Sequence, residues 1–163
     1  MVEELFAPPG AEWRPVAPAL ALMRRLVLSV AAAAAVLAVV VLELVLPLPW
    51  WPWLFVPLVA AVAVVGWVLI GRNARWWGYA ERDEDLYVRH GALFRGMVVV
   101  PYGRMQYVDV HAGPLEQVFR IATVHLHTAS PGTSARIPGL PAPEAARLRD
   151  RLTALGESEA AGL

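Results

Sequence analysis

Residues 26–70 read LVLSVAAAAAVLAVVVLELVLPLPWWPWLFVPLVAAVAVVGWVLI, and this stretch decides the fold. Its first half, residues 26–46, holds 21 residues, of which only Ser29 and Glu43 are polar. A helix needs about 20 such residues to cross the hydrocarbon core of a bilayer. The second half, residues 54–70, is apolar or glycine apart from the turn-prone Pro57, and it reaches spanning length with Trp53 and Gly71 included. Between the halves lies Pro47-Leu48-Pro49-Trp50-Trp51-Pro52-Trp53. Its prolines lack a backbone donor and disfavour helix in the residue before them. Residues 26–71 are therefore expected to form two membrane helices joined by a tight Pro/Trp turn.

A cleaved signal peptide would have an apolar core of about 7–15 residues and then a small-residue cleavage site. Here the alanine run 31–35 is followed by further apolar sequence and then a second span, so an uncleaved hairpin is expected. Orientation follows from arginine. Arg24 and Arg25 precede the first span, Arg72 and Arg75 follow the second, and the connecting turn has no charge. Short loops rich in basic residues stay cytoplasmic, which predicts an inner-membrane, multi-pass protein with both termini inside.

Tryptophans support that placement, because amphipathic indoles prefer the headgroup level. Trp50, Trp51 and Trp53 mark the outer boundary, and Trp67, Trp76 and Trp77 the inner one. Together with Arg24, Arg25, Arg72 and Arg75 these residues, Trp67 apart, form the expected interface anchors. Glu43 lies about 5 Å from the end of the first span at 1.5 Å per residue, where an interfacial role is preferred to a proton relay. Residues 1–25 read as a cytoplasmic N-terminal segment with a short lead-in helix from Ala17. Within it Trp13 is either an interfacial anchor or a loop tryptophan packed on the domain.

From Trp76 the texture changes to short alternating runs separated by turn residues. Strands are expected across 76–82, 86–90, 94–102, 105–111, 121–128 and 134–137. Gln106, Val108 and Val110 would share one face, with Tyr107, Asp109 and His111 on the other. Val124 and Leu126 would point inward, and His125 and His127 outward. Ser130-Pro131-Gly132-Thr133 reads as a hairpin turn, and Pro114 opens a short helical turn. A last helix starts near Pro143, with Ala145, Leu148, Leu152 and Leu155 on one stripe. Gly156 is its expected stop, leaving 157–163 as a disordered tail. The expected domain, residues 76–156, is an antiparallel sheet closed by a helix, which also protects strand edges.

Those residues resemble a known pattern. Asp85-Leu86-Tyr87-Val88-Arg89-His90-Gly91 and the block from Val100 through Pro101, Arg104, Gln106 and Val108-Asp109-Val110 resemble the bacterial pleckstrin-homology domains of YdbS-like membrane proteins. Gly113-Pro114-Leu115, then Phe119-Arg120-Ile121-Ala122, resembles that family's GPL…FGLA segment, and Ile137-Pro138-Gly139-Leu140 precedes the closing helix. The resemblance covers residues 76–155, and the family's two preceding spans match the hairpin. Arg120 departs from it, standing where the pattern has glycine. The resemblance implies an α+β protein: a two-helix transmembrane hairpin, then a small pleckstrin-like antiparallel β-barrel of two orthogonal sheets capped by a C-terminal α-helix. It also implies a membrane-tethered binding or scaffold module without catalysis, with larger relatives of several such domains as partners.

Few residues carry recognisable chemistry. The chain has 163 residues, no cysteine and zero formal charge, and its fourteen basic residues are all arginine. Thiol chemistry is excluded, and a global field for nucleic acid is missing. His111, His125 and His127, with Asp109 nearby, could ligate a metal, although exposed sheet histidines are the commoner case. No phosphate loop or nucleophile elbow occurs.

The leading expectation is a non-enzymatic module with no cofactor, binding a protein or peptide partner, a larger PH-like membrane protein or itself at the inner membrane face. Arg89, Arg95, Arg104, Gln106 and Arg136 are its candidate partner or lipid surface. The alternatives are a lipid-headgroup sensor and a small membrane-bound metal-dependent enzyme.

Overall fold

The computed structural model describes residues 12–46, 49–91, 93–129 and 134–160. The hairpin turn expected at 130–133 and residues 161–163 lie outside the described residues.

The apolar stretch forms two helices. α1 spans Pro18–Val45, 28 residues, with proline at its first turn, where no N–H is needed. A 3-10 turn, Trp51–Leu54, leads into α2, Phe55–Trp76. Both helices are long and apolar enough to cross a membrane, and their apolar windows are almost wholly unburied by protein. They pack on one another closely: a Cβ on Gly66 would come within 2.9 Å of Leu28 Cδ2.

α1 begins earlier than a span requires. Its first turns belong to the domain, where Val16 and Leu20 are buried. The lead-in helix expected at Ala17 is therefore continuous with the first span.

Among the described residues, seven strands form two antiparallel sheets. The first has the order β1 (Arg14–Pro15), β2 (Gly78–Glu81), β3 (Asp85–His90), β4 (Gly96–Pro101). The second has the order β5 (Met105–His111), β6 (Ile121–Thr128), β7 (Ala135–Pro141), with the short helix α3 (Pro114–Val118) between β5 and β6. α4 spans Ala142–Ala160. This is a PH-like fold, but the expected barrel does not close. β4 gives way to a 3-10 turn, Tyr102–Arg104, and no ladder joins β4 to β5 among the described residues.

Other elements fill the two corners. α4 packs along β5 and the 3-10 turn at one. At the other, β1 pairs with β2 while Ala17 N–H donates to Gly139 O of β7. Segment 14–17 thus stitches the sheets together.

Alternation builds the core. Leu86, Val88 and Val100 face Val124, Leu126, Ile137 and Leu140, and α4 inserts Ala145, Leu148 and Leu152. The helix stripe and the inward strand residues of β6 stand as the periodicity expects. Two expectations are corrected. Gln106 does not share a face with Val108 and Val110, because a bulge between Met105 and Tyr107 removes it from register. Nor does Gly156 end α4, which continues to Ala160. A lone glycine costs a helix about 1 kcal/mol, and here a Cβ would meet Met105 Cε at 3.7 Å and Tyr102 O at 3.8 Å, ordinary contact distances.

A polar network fastens the edges. Glu81, its side chain 7% exposed, receives Arg14 at 3.4 Å, Arg151 at 3.1 Å and Arg147. Glu144 receives Arg14 at 3.2 Å, Arg147 and the Tyr79 hydroxyl. The Arg147 hydrogen bonds hold the Glu144 carboxyl at about 2, well below its usual range. Burial, then the bond to Glu144, pushes the Tyr79 phenol up to about 12. The N-terminal strand, β2 and α4 are thereby joined.

Candidate functional site

The expected site residues separate into distinct places. At the membrane end of the domain, Arg95 lies 3.7 Å over the Trp76 ring, and Arg89 sits between Trp13 at 4.5 Å and Trp76 at 6.0 Å. Burial lowers the pKa of Arg89; its Nε has no hydrogen-bond partner among the described residues. Trp13 is thus packed on the domain. Trp77 does not face the membrane: it is the first extended residue after α2, turns into the core and lies 5.5 Å from His90. Arg72 and Arg75 are exposed on the last turns of α2, and Trp50, Trp51 and Trp53 are exposed between the helices. Glu43 is half-buried, with Oε1 unpartnered among the described residues.

Arg24 and Arg25 part company. Arg24 is within electrostatic reach of Arg136 and Glu116. Arg25 turns to α2, donating from Nη2 to Trp67 O at 3.4 Å and covering the Trp67 ring at 5.0 Å. A cleft of about 590 Å³ opens beside Arg25, walled by the β1–α1 link, Ala21, Leu22, Gly71, Ala74 and Arg75. Periodicity could not show this cleft, because it depends on how α1 and α2 approach. Its one sequence signal is the pairing of small residues with arginines just inside both spans.

A second membrane-end feature went unread in the sequence. Between β3 and β4, Gly91 takes φ +91 and the chain reverses, leaving Leu93 71% and Phe94 90% exposed. These residues line a pocket with Leu69 and Asn73 of α2. An apolar tip thus stands beside a membrane helix.

Three of the four histidines, His111, His125 and His127, gather on the outer face of the second sheet. His111 and His125 ring centroids are 5.3 Å apart, and Tyr107 stacks on His127 at 4.3 Å. Asp109 Oδ2 is 3.6 Å from His127 Nε2. Partial burial, then the neighbouring His111, lowers the pKa of His125. No three of the described His, Asp or Glu residues converge to hold a metal ion.

β5 and α4 leave a groove of about 350 Å³. Met105, Gln106, Tyr107 and Val108 form one wall, and Leu152, Thr153, Gly156 and Glu157 the other. The β5 edge carries no further strand among the described residues. The bulge turns Gln106 outward here, while Arg104 is exposed just before it. Gln106 and Arg104 are therefore neighbours in chain and space, whereas Arg95 and Arg136 belong to other surfaces.

Comparison with known proteins agrees with the architecture. The family described as Bacterial PH domain matches residues 18–155, helices included. The transmembrane protein YdbS of Bacillus subtilis (strain 168) is 31% identical over 110 residues, covering 64% of this chain and 68% of that protein. No solved structure matches. With two apolar helices feeding directly into a two-sheet, helix-capped domain, the chain is a YdbS-like membrane protein and belongs to the bacterial PH domain family.

Proposed function

We propose that this chain is a multi-pass inner-membrane protein with both termini cytoplasmic, whose PH-like domain binds an extended segment of a protein partner in the groove between β5 and α4. The partner is a larger PH-like membrane protein or a second copy of the chain. The observation that carries this reading is the β5 edge, which pairs with no further strand among the described residues, beside a groove walled by α4. An extended peptide can add to such an edge through its backbone while alternate side chains enter the groove. Small residues on α4, Thr153 and Gly156, leave the room. The distribution of arginine around the spans supports the topology. The module is read as non-catalytic, consistent with the resemblance of its motifs.

The test is site-directed photocrosslinking in native membranes. A crosslinker at Gln106 or Thr153 should give one reproducible protein adduct, absent with the label at Arg149 and abolished by Gly156→Arg. Adducts of equal yield from all three positions, or none from the groove, would end this reading. Cysteine labelling from either side of the membrane, with cysteines placed at 50 and 157, checks the topology separately.

A further inference from the structure

The cleft where the two helices enter the PH domain holds two arginines, Arg25 and Arg75, that peptide binding does not use. Arg25 and Arg75 both line it, and neither makes an ion pair among the described residues. Arg25 makes the single long bond to Trp67 O, and its Nε is buried without a partner. Arg75 Nε donates to Gly71 O at 3.2 Å. A guanidinium has five N–H donors, so most of those in the cleft are uncommitted. A half-buried arginine such as Arg25 is normally paired with an acid, and here it has only the Trp67 ring at 5.0 Å and the one long bond.

The cleft is shaped for something larger than an inorganic ion. At about 590 Å³ it exceeds the other described pockets, and apart from the arginines its walls are apolar. Leu22 is exposed at its mouth and continues into Leu26 on the outer surface of α1. The close approach is built in: a Cβ on Gly71 would fall 2.2 Å from Arg25 Nη2. Glycine at 71 is what lets the guanidinium lie against α2. Arg25 is also the last charge before the apolar run, which with both helices across a bilayer would put the cleft at headgroup depth.

We propose that this cleft binds one anionic phospholipid, with Arg25 and Arg75 on the phosphate oxygens and the start of an acyl chain along Ala21 and Leu22. A zwitterionic lipid brings its own cation to the phosphate, and two unpaired guanidiniums select against it. The site rests on both helices crossing the bilayer. It differs from a diffuse basic surface in being stoichiometric and in using residues on facing helices.

Native mass spectrometry of the delipidated full-length protein in detergent tests it, with phosphatidylglycerol, phosphatidylcholine and inorganic phosphate as separate probes. Phosphatidylglycerol should bind one per chain and outcompete phosphatidylcholine. Each arginine near an anionic lipid contributes roughly a fivefold effect, so Arg25→Gln and Arg75→Gln should each weaken phosphatidylglycerol about fivefold and leave phosphatidylcholine unchanged. Gly71→Ala should resemble Arg25→Gln by displacing the guanidinium. Arg75 is exposed, so Arg75→Gln remains decisive where a change at 25 or 71 lowers the melting temperature. Equal retention of both lipids, an unaltered Arg75→Gln, or displacement of the lipid by inorganic phosphate would each overturn the proposal. Release of the protein by alkaline carbonate would instead show that the membrane-spanning reading had failed.

Discussion

A Cβ placed on Gly139 would stand 2.6 Å from the Cβ of Leu20. Leu20 belongs to the first turns of a membrane helix, and Gly139 to the last strand of the domain. The helix that carries the first span therefore starts inside the hydrophobic core of the domain.

Gly139 also has φ +70, which side chains with a Cβ rarely adopt. Gly139→Ala should therefore combine backbone strain with the Leu20 clash and cost about 2 kcal/mol or more. Thermal unfolding of the detergent-solubilised protein measures this. A melting temperature unchanged from wild type would show that Leu20 and Gly139 are not in register.

Arg120 has φ +54 at the position where the family pattern carries glycine. Its N–H donates to Gln117 O, and its carbonyl accepts from Ala142 N–H, so the turn is held in place. Arg120→Gly should relieve roughly 1 kcal/mol of left-handed strain and raise the melting temperature. A fall would mean that the arginine side chain contributes more than its backbone costs.

The Glu144 carboxyl is depressed to about 2. A carboxylate with a lowered folded pKa stabilises fully above its ordinary value near 4.5, and that contribution disappears as pH falls through about 2. The Tyr79 phenol, raised to about 12, gives stability that is lost as pH climbs from about 10. With Glu144 partly exposed, its share is on the order of 2 kcal/mol. Stability measured against pH should decline at both ends. Glu144→Gln should flatten the acid limb and Tyr79→Phe the alkaline one.

Leu93 and Phe94 lie beside Leu69 of α2. Exposed apolar residues this large on a loop tip match a bilayer better than water. A fluorophore at position 94 in proteoliposomes should be quenched by lipid-borne nitroxides at headgroup depth and not by aqueous iodide. Equal aqueous quenching would place the loop in water. Phe94→Ser should leave the fold intact, because the side chain is 90% exposed.

Much of the fold was legible because its causes are local. Twenty-one nearly unbroken apolar residues permit little but a helix in lipid, alternation in β6 places Val124 inward and His125 outward, and α4 announces its buried stripe by spacing. The candidate site was less legible. The sequence lists Arg25, Arg75 and Gly71 far apart, with nothing local to say that α1 and α2 bring them together. Trp77 looked like its neighbour Trp76, and only the switch from helix to strand sends one indole into the core and leaves the other under Arg95. Gln106 alternates correctly on paper, and the bulge beside it arises from fitting two strands together.

What the sequence determined by itself is the hairpin, the order of strands and helices after it, and the inward sets of β6 and α4, since hydrophobic burial acts through periods of 2 and 3.6 residues that can be read along the chain. What the tertiary structure decided is how segment 14–17 and α4 fill the two corners of an open sheet pair, and which polar groups meet there. Those contacts depend on distances between segments up to 130 residues apart, and no local preference encodes them.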